Sequence, residues 1–279
     1  MDTAQATQLI ETFENSARRF ETSWGDGRMV WRKWGEGRPV VLLHGGAGSW
    51  MHWIRNLGAL SARQEVWVPD MPGFGDSDVP FEGKVDADGL APLVRDGIRE
   101  LLGDRRFALV GFSFGSLVAT AIAAEPPAAL DRLVLVSASA LGLFQGPAPL
   151  QPLRGVTDPE ERRRIVRFNL NAMMLHDPST IDDLAILVQK KSAPRDRIKN
   201  RQLARTDYLV RTAPSWTRPA YGIWGRQDYA YRDQFPRLQE VVSGLGLREA
   251  AYIDGGHWLP FENPEQFNPL LQRMLDAAD

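Results

Sequence analysis

Short apolar runs punctuate this chain at 39–43, 65–68, 107–110, 133–136, 220–224 and 249–253. Each is too short for a helix and too continuous for a half-exposed strand. Runs of this kind read as strands buried on both faces of a parallel sheet. Helical patterns alternate with them at about 87–102, 116–124 and 264–277, and that alternation predicts an α/β fold. Before the first run, Ile10, Phe13 and Ala17 recur at helical spacing within 7–19, and two strands are expected near 20–24 and 28–34, joined by Gly25-Asp26-Gly27.

The alternation stops between 141 and 212. Loop residues (Gly142, Gly146, Pro147, Pro149, Pro152) come first, followed by three helical patterns with no strand. The first opens at Thr157-Asp158-Pro159-Glu160-Glu161, with proline and acids in the first turn. The others are expected at 179–191 and 195–211. The expected organisation is a core of 1–140 and 213–279 carrying a helical insertion, 141–212, over the sheet edge. Residues 151–212 carry 13 Lys/Arg and 8 Asp/Glu, a net of +5 in a chain whose total is −2.

That total argues against nucleic-acid or polybasic membrane-surface binding. The 279 residues contain no cysteine, which excludes disulfides, thiolate metal sites and a cysteine nucleophile. The first twenty residues lack the apolar stretch of a secretory signal. No run of about 18 apolar residues offers a membrane span. A cytoplasmic location is therefore the default expectation.

Gly111-Phe112-Ser113-Phe114-Gly115 follows the apolar strand at 107–110 and opens a small-residue helix. A serine at such a strand-to-helix turn sits in a strained backbone with its hydroxyl above the sheet. Gly111 and Gly115 suit places where backbone passes too close for a Cβ. A second glycine-rich turn, His44-Gly45-Gly46-Ala47-Gly48, ends the strand at 39–43. The backbone N–H groups of Gly46 and Phe114 are expected to face one point, as an oxyanion hole requires. Neither phosphate-loop glycine signature occurs.

A serine nucleophile needs a base, and the base needs a third group to hold its tautomer. There are four histidines. His44 lies within the glycine turn and reads as structural, His52 lies in an aromatic stretch, and His176 lies in the insertion. His257, in a loop leaving the carboxyl edge of the sheet, is the expected base. Asp228, just past the strand at 220–224, is the expected acid, with Asp254 as its rival. Asp70 is expected to bond the loop that follows it.

These elements, with Asp70-Met71-Pro72-Gly73-Phe74-Gly75 and Gly256-His257, occur in the order of the α/β-hydrolase fold superfamily, which the chain resembles over nearly all of its length outside the insertion. The resemblance implies a mostly parallel eight-stranded sheet and a helical cap between strands six and seven. It implies no metal and no organic cofactor. Serine at the nucleophile position suits acyl transfer, so an ester or lactone hydrolase is the first expectation. The stretch Gly255-Gly256-His257-Trp258-Leu259-Pro260-Phe261-Glu262 is similar to C–C bond hydrolases that cleave aromatic ring-fission products. Those enzymes have asparagine where this chain has Phe112, and an arginine in the cap for a substrate carboxylate. Arg205, with Arg201 close by, would occupy one apolar face of the third insertion helix with Ile198 and Leu209. A non-catalytic ligand receptor of the same fold is the remoter alternative. The expected partner is a small apolar or aromatic substrate, with neither nucleic acid nor membrane, and with a homodimer left open. Trp50, Phe112, Phe144, Met173, Met174, Arg205 and Trp258 are the expected pocket residues.

Overall fold

The computed structural model describes residues 1–278. The strands are β1 (Arg18–Trp24), β2 (Gly27–Trp34), β3 (Arg38–Leu43), β4 (Gln64–Asp70), β5 (Phe107–Phe112), β6 (Leu130–Val136), β7 (Ala220–Gly225) and β8 (Glu249–Ile253). They form one sheet in the order β1-β2-β4-β3-β5-β6-β7-β8. β2 runs antiparallel to both β1 and β4, and all other pairings are parallel. Every residue of β4, β5, β6 and β7 is buried, as continuous apolar runs require. β1, at the sheet edge, is mostly exposed.

The helices are α1 (Thr3–Ser16), α2 (Leu57–Ser61), α3 (Ala87–Leu102), α4 (Phe114–Ala124), α5 (Pro159–Met173), α6 (Asp183–Ser192), α7 (Tyr208–Thr212), α8 (Phe235–Ser243), α9 (Leu259–Glu262) and α10 (Pro264–Asp276). α1 begins earlier than its apolar spacing suggests, because Asp2 and Gln5 cap it reciprocally. α4 is apolar almost all round and is accordingly buried behind the sheet. Two apolar clusters lie on the two faces of the sheet. One holds Trp31, Trp67, Phe74, Leu117 and Trp224. The other holds Trp53, Phe112, Tyr221, Phe267 and Leu271.

Between β6 and β7 the described chain forms helices and irregular segments but no strand. Two of the three helices expected there form, as α5 and α6. The third, 195–211, does not form as one helix. Instead, 196–202 is extended or irregular, a 3₁₀ turn covers Leu203–Arg205, and α7 follows. The cause is long-range pairing: Arg197 N–H donates to Gly73 O at 2.9 Å and Lys199 N–H to Gly83 O at 3.2 Å. These bonds hold the backbone out straight and override the local spacing. Ile198 is buried because it packs into the space above Gly73, not because it lies on a helix face. No described helix is long and apolar enough to cross a membrane.

Candidate active site

β5 delivers Ser113 to the carboxyl edge of the sheet, and α4 begins at the next residue. Ser113 has φ 51° and ψ −114°, a conformation that costs roughly 1–3 kcal/mol for a residue with a Cβ. Two anchors impose it: Ser113 N–H donates to Val136 O and Ser116 N–H donates to Ser113 O, both at 2.9 Å. The flanking glycines are steric necessities. A Cβ on Gly111 would lie 2.5 Å from Gly115 O, and one on Gly115 would lie 2.5 Å from His44 O.

His257 Nε2 lies 2.7 Å from Ser113 Oγ, and His257 Nδ1 lies 2.8 Å from Asp228 Oδ2. Asp228 is fully buried, and its other oxygen accepts from Ala230 N–H at 3.0 Å. With Asp228 accepting at Nδ1, the neutral ring carries its proton there and presents a lone pair to the serine. The meeting of these residues follows from an extension of the β7–β8 pairing beyond the strands. Arg226 N–H donates to Ile253 O and Gln227 N–H to Gly255 O, both at 3.0 Å, and Gly255 N–H returns a bond to Gln227 Oε1 at 2.7 Å. Gly225 lies so close to the Gly255–Gly256 backbone that no Cβ would fit. Asp254, the rival acid, has its side chain 71% exposed beside Arg226.

The turn after β3 lies against the serine: a Cβ on Gly45 would come within 3.2 Å of Ser113 Cβ. Gly46 follows Gly45 in that turn, and Phe114, the residue after Ser113, opens α4. The amides at a helix start carry the positive end of its dipole. His44 is structural: Nδ1 bonds Gly45 O at 2.8 Å and Nε2 accepts from Met71 N–H at 3.0 Å. Burial holds its pKa below the usual histidine range, against an opposing pull from Asp70. His52 accepts from Gly45 N–H at 3.2 Å. Burial, and then the neighbouring His44 and His257, push its pKa well down. His176 is exposed.

A cavity of about 660 Å³ opens above Ser113 and His257. Of the expected pocket residues, Phe144, Met173 and Arg205 line it. Trp50, Phe112, Met174 and Trp258 do not, and their expected place in the pocket is corrected. Each is buried in the core. Trp50 packs on Trp34 with ring centroids 5.5 Å apart. Phe112 points from β5 beneath the glycine turn, its ring against Gly45. Trp258 donates its backbone N–H to Met174 O at 2.7 Å and its indole N–H to His52 O at 2.9 Å. It fixes the segment after His257. Arg205 reaches the cavity from a 3₁₀ turn, with its guanidinium 5.3 Å from the Phe144 ring centroid.

Arg201, expected beside Arg205, lines the cavity as well. Tyr229 and Arg232, which carry no sequence signal, also line it, and Tyr229 lies edge-on to His257 at 5.8 Å. Glu262 accepts from Gly256 N–H and from Asp177 N–H, both at 2.6 Å, and so staples the histidine loop to the insertion. Its place in the His257-Trp258 stretch was the one available signal. Among the described residues, no cluster of acidic and histidine side chains could hold a metal.

The family model of the alpha/beta hydrolase fold matches residues 38–181. A 2-hydroxy-6-oxononadienedioate/2-hydroxy-6-oxononatrienedioate hydrolase of Paraburkholderia phymatum is 32% identical over 276 residues, covering 85% of this chain and 86% of the relative. A 2-hydroxy-6-oxo-6-phenylhexa-2,4-dienoate hydrolase of Comamonas testosteroni is 29% identical over 261 residues, covering 83% of this chain and 85% of that protein. Among solved structures, a thermophilic esterase from Thermogutta terrifontis shares the fold, with a TM-score of 0.68 at 22% identity over 93% of this chain and 98% of that one. The chain belongs to the α/β-hydrolase fold family.

Proposed function

We propose that this protein is a serine hydrolase that cleaves a carbonyl-adjacent bond in a substrate carrying a carboxylate, with the dienoate products of aromatic ring fission as the substrate class. Ser113 Oγ attacks the carbonyl carbon while its proton passes to His257 Nε2. Asp228 stabilises the imidazolium that forms. The amides of Gly46 and Phe114 receive the developing oxyanion. His257 returns its proton to the departing fragment, and water then releases the acyl group from Ser113. When the departing atom is carbon, the dienol substrate must first pass its enol proton to the carbon beside the ketone, so that the electrons of the broken bond are delocalised as a dienolate over the conjugated acid fragment. A positively charged wall stabilises that fragment.

The observation that carries this reading is the lining of the cavity: Arg205 and Arg232 stand in it beside Arg201, whose charge Asp196 offsets, with no carboxylate side chain among its described lining residues. In a chain with a net charge of −2, such a local excess of cations favours anionic ligands. The relatives named as dienoate hydrolases point to the same class. Phe112 stands where the C–C bond hydrolases that the chain resembles carry asparagine, and this departure favours a second reading, hydrolysis of a neutral aryl or alkyl ester. The test is to assay a 6-phenyl dienoate ring-fission product beside a p-nitrophenyl ester of matched size. The expected result is a higher kcat/KM for the dienoate, lost in Ser113→Ala. Turnover of the ester alone would install the second reading, and no turnover of either would return the protein to the receptor alternative.

A further inference from the structure

The extended segment 196–201 of the insertion crosses directly over the turn that follows β3. Asp196 Oδ2 accepts the Ala47 N–H at 2.9 Å and is ion-paired with Arg201. Asp196 is only 11% exposed. Ala47 has φ 54°, a left-handed conformation that an alanine does not hold without external support. The Arg201 guanidinium covers Gly46 closely enough that a Cβ there would lie 2.9 Å from Nη1. It also lies 5.3 Å from the Phe114 ring centroid and 5.6 Å from that of Phe74. One ion pair therefore touches both residues expected to supply the oxyanion amides: Gly46, which the Arg201 guanidinium covers, and Phe114 through its ring.

We propose that Asp196 and Arg201 form a positioning pair, carried by the insertion, that holds the Gly46 and Phe114 amides at the separation a tetrahedral oxyanion requires. The insertion then governs the chemical step as well as access to the cavity. The proposal rests on Ser113 being the nucleophile. Three bonds that involve neither side chain hold the segment in place: Arg197 N–H to Gly73 O at 2.9 Å, Lys199 N–H to Gly83 O at 3.2 Å, and Leu203 N–H to Asp86 Oδ2 at 3.0 Å. Removing the Asp196 carboxylate therefore releases the turn and leaves the segment attached.

The experiment uses a neutral p-nitrophenyl ester, so that the arginine charge does not act on substrate binding, and phenylboronic acid, which forms a tetrahedral adduct on an active serine. Asp196→Ala should lower kcat by roughly 10- to 100-fold, somewhat less than outright loss of an oxyanion donor, with KM within about twofold. Affinity for the boronate should fall by about the same factor as kcat. Asp196→Asn keeps an acceptor for the Ala47 amide, and Arg201→Lys keeps the charge without the planar fork. Both should fall between wild type and Asp196→Ala, and they carry the test if the alanine variant does not fold. Unchanged kcat and boronate affinity across these variants, or a loss confined to KM, would overturn the proposal. A dead Ser113→Ala beside an unimpaired Asp196→Ala sinks only the pair. A fully active Ser113→Ala sinks the nucleophile reading beneath it.

Discussion

At the scale of single residues, the two uninvolved buried histidines make a clear prediction about pH. His44 and His52 are both held below their usual range, chiefly by burial. A histidine with a lowered folded pKa stays neutral in the native state while the unfolded chain takes up a proton below about pH 6.5. The unfolded state then binds more protons, so stability rises with pH through that window and is lost as pH falls. The melting temperature should fall steadily from pH 7 to pH 5, and His52→Gln should flatten part of that slope. A melting temperature independent of pH over that range would refute the assignment. The glycines at the serine turn yield a second residue-scale expectation. Gly115→Ala would push a Cβ onto the His44 carbonyl, so either the turn or the fold must give way. Hydrolase activity should be lost even in preparations that circular dichroism shows to be folded.

At the scale of elements, agreement between sequence and structure varied with how local the governing forces are. β5, Ser113 and α4 were legible because a buried strand, a strained turn and a small-residue helix each leave a local signature. Asp228 and His257 could be picked out because each lies just past a strand end on the same edge of the sheet. The stretch 195–211 kept a helical apolar spacing yet became an extended segment. Its partners, Gly73 and Gly83, lie more than a hundred positions upstream and leave no mark on the local sequence. Trp50, Phe112, Met174 and Trp258 showed that they were apolar, but not that they face the core and not the cavity. The junction of β2, α1 and the loop after β4 has an ionic device of the same long-range kind. Arg32 is 2% exposed and pairs with Glu14 at 2.8 Å, Asp70 at 3.0 Å and Asp76 at 2.6 Å. Asp70 also accepts from Trp50 N–H at 2.9 Å and Asp76 N–H at 3.0 Å. Asp70→Ala leaves the guanidinium buried with fewer anions and two amides unpaired. It should cost about 3–5 kcal/mol in urea unfolding, and a loss below about 1 kcal/mol, the range of exposed pairs, would contradict this account.

At the scale of the whole molecule, the insertion does not have a core of its own. Val166, Leu170, Ile181 and Leu184 from it belong to the same cluster as Trp53, Phe267 and Leu271, while Ile198 and Leu209 join the cluster on the other face. Urea unfolding followed by tryptophan fluorescence and by far-UV circular dichroism should therefore give coincident single transitions. Two separated transitions would show the insertion melting alone. The arginine-lined cavity in a slightly acidic protein adds a kinetic expectation. For an anionic dienoate, kcat/KM should fall as ionic strength rises from about 10 mM to 150 mM, because screening shortens the reach of exposed charges from about 30 Å to about 8 Å. A neutral ester should show no such slope.

Catalysis at this site depends on the reactivity of one hydroxyl, and covalent trapping tests that directly. After treatment with a fluorophosphonate, peptide mapping by mass spectrometry should find a single adduct, on Ser113, and His257→Ala should abolish it. An adduct on another residue, or continued hydrolysis by protein that Ser113 labelling has saturated, would contradict the account.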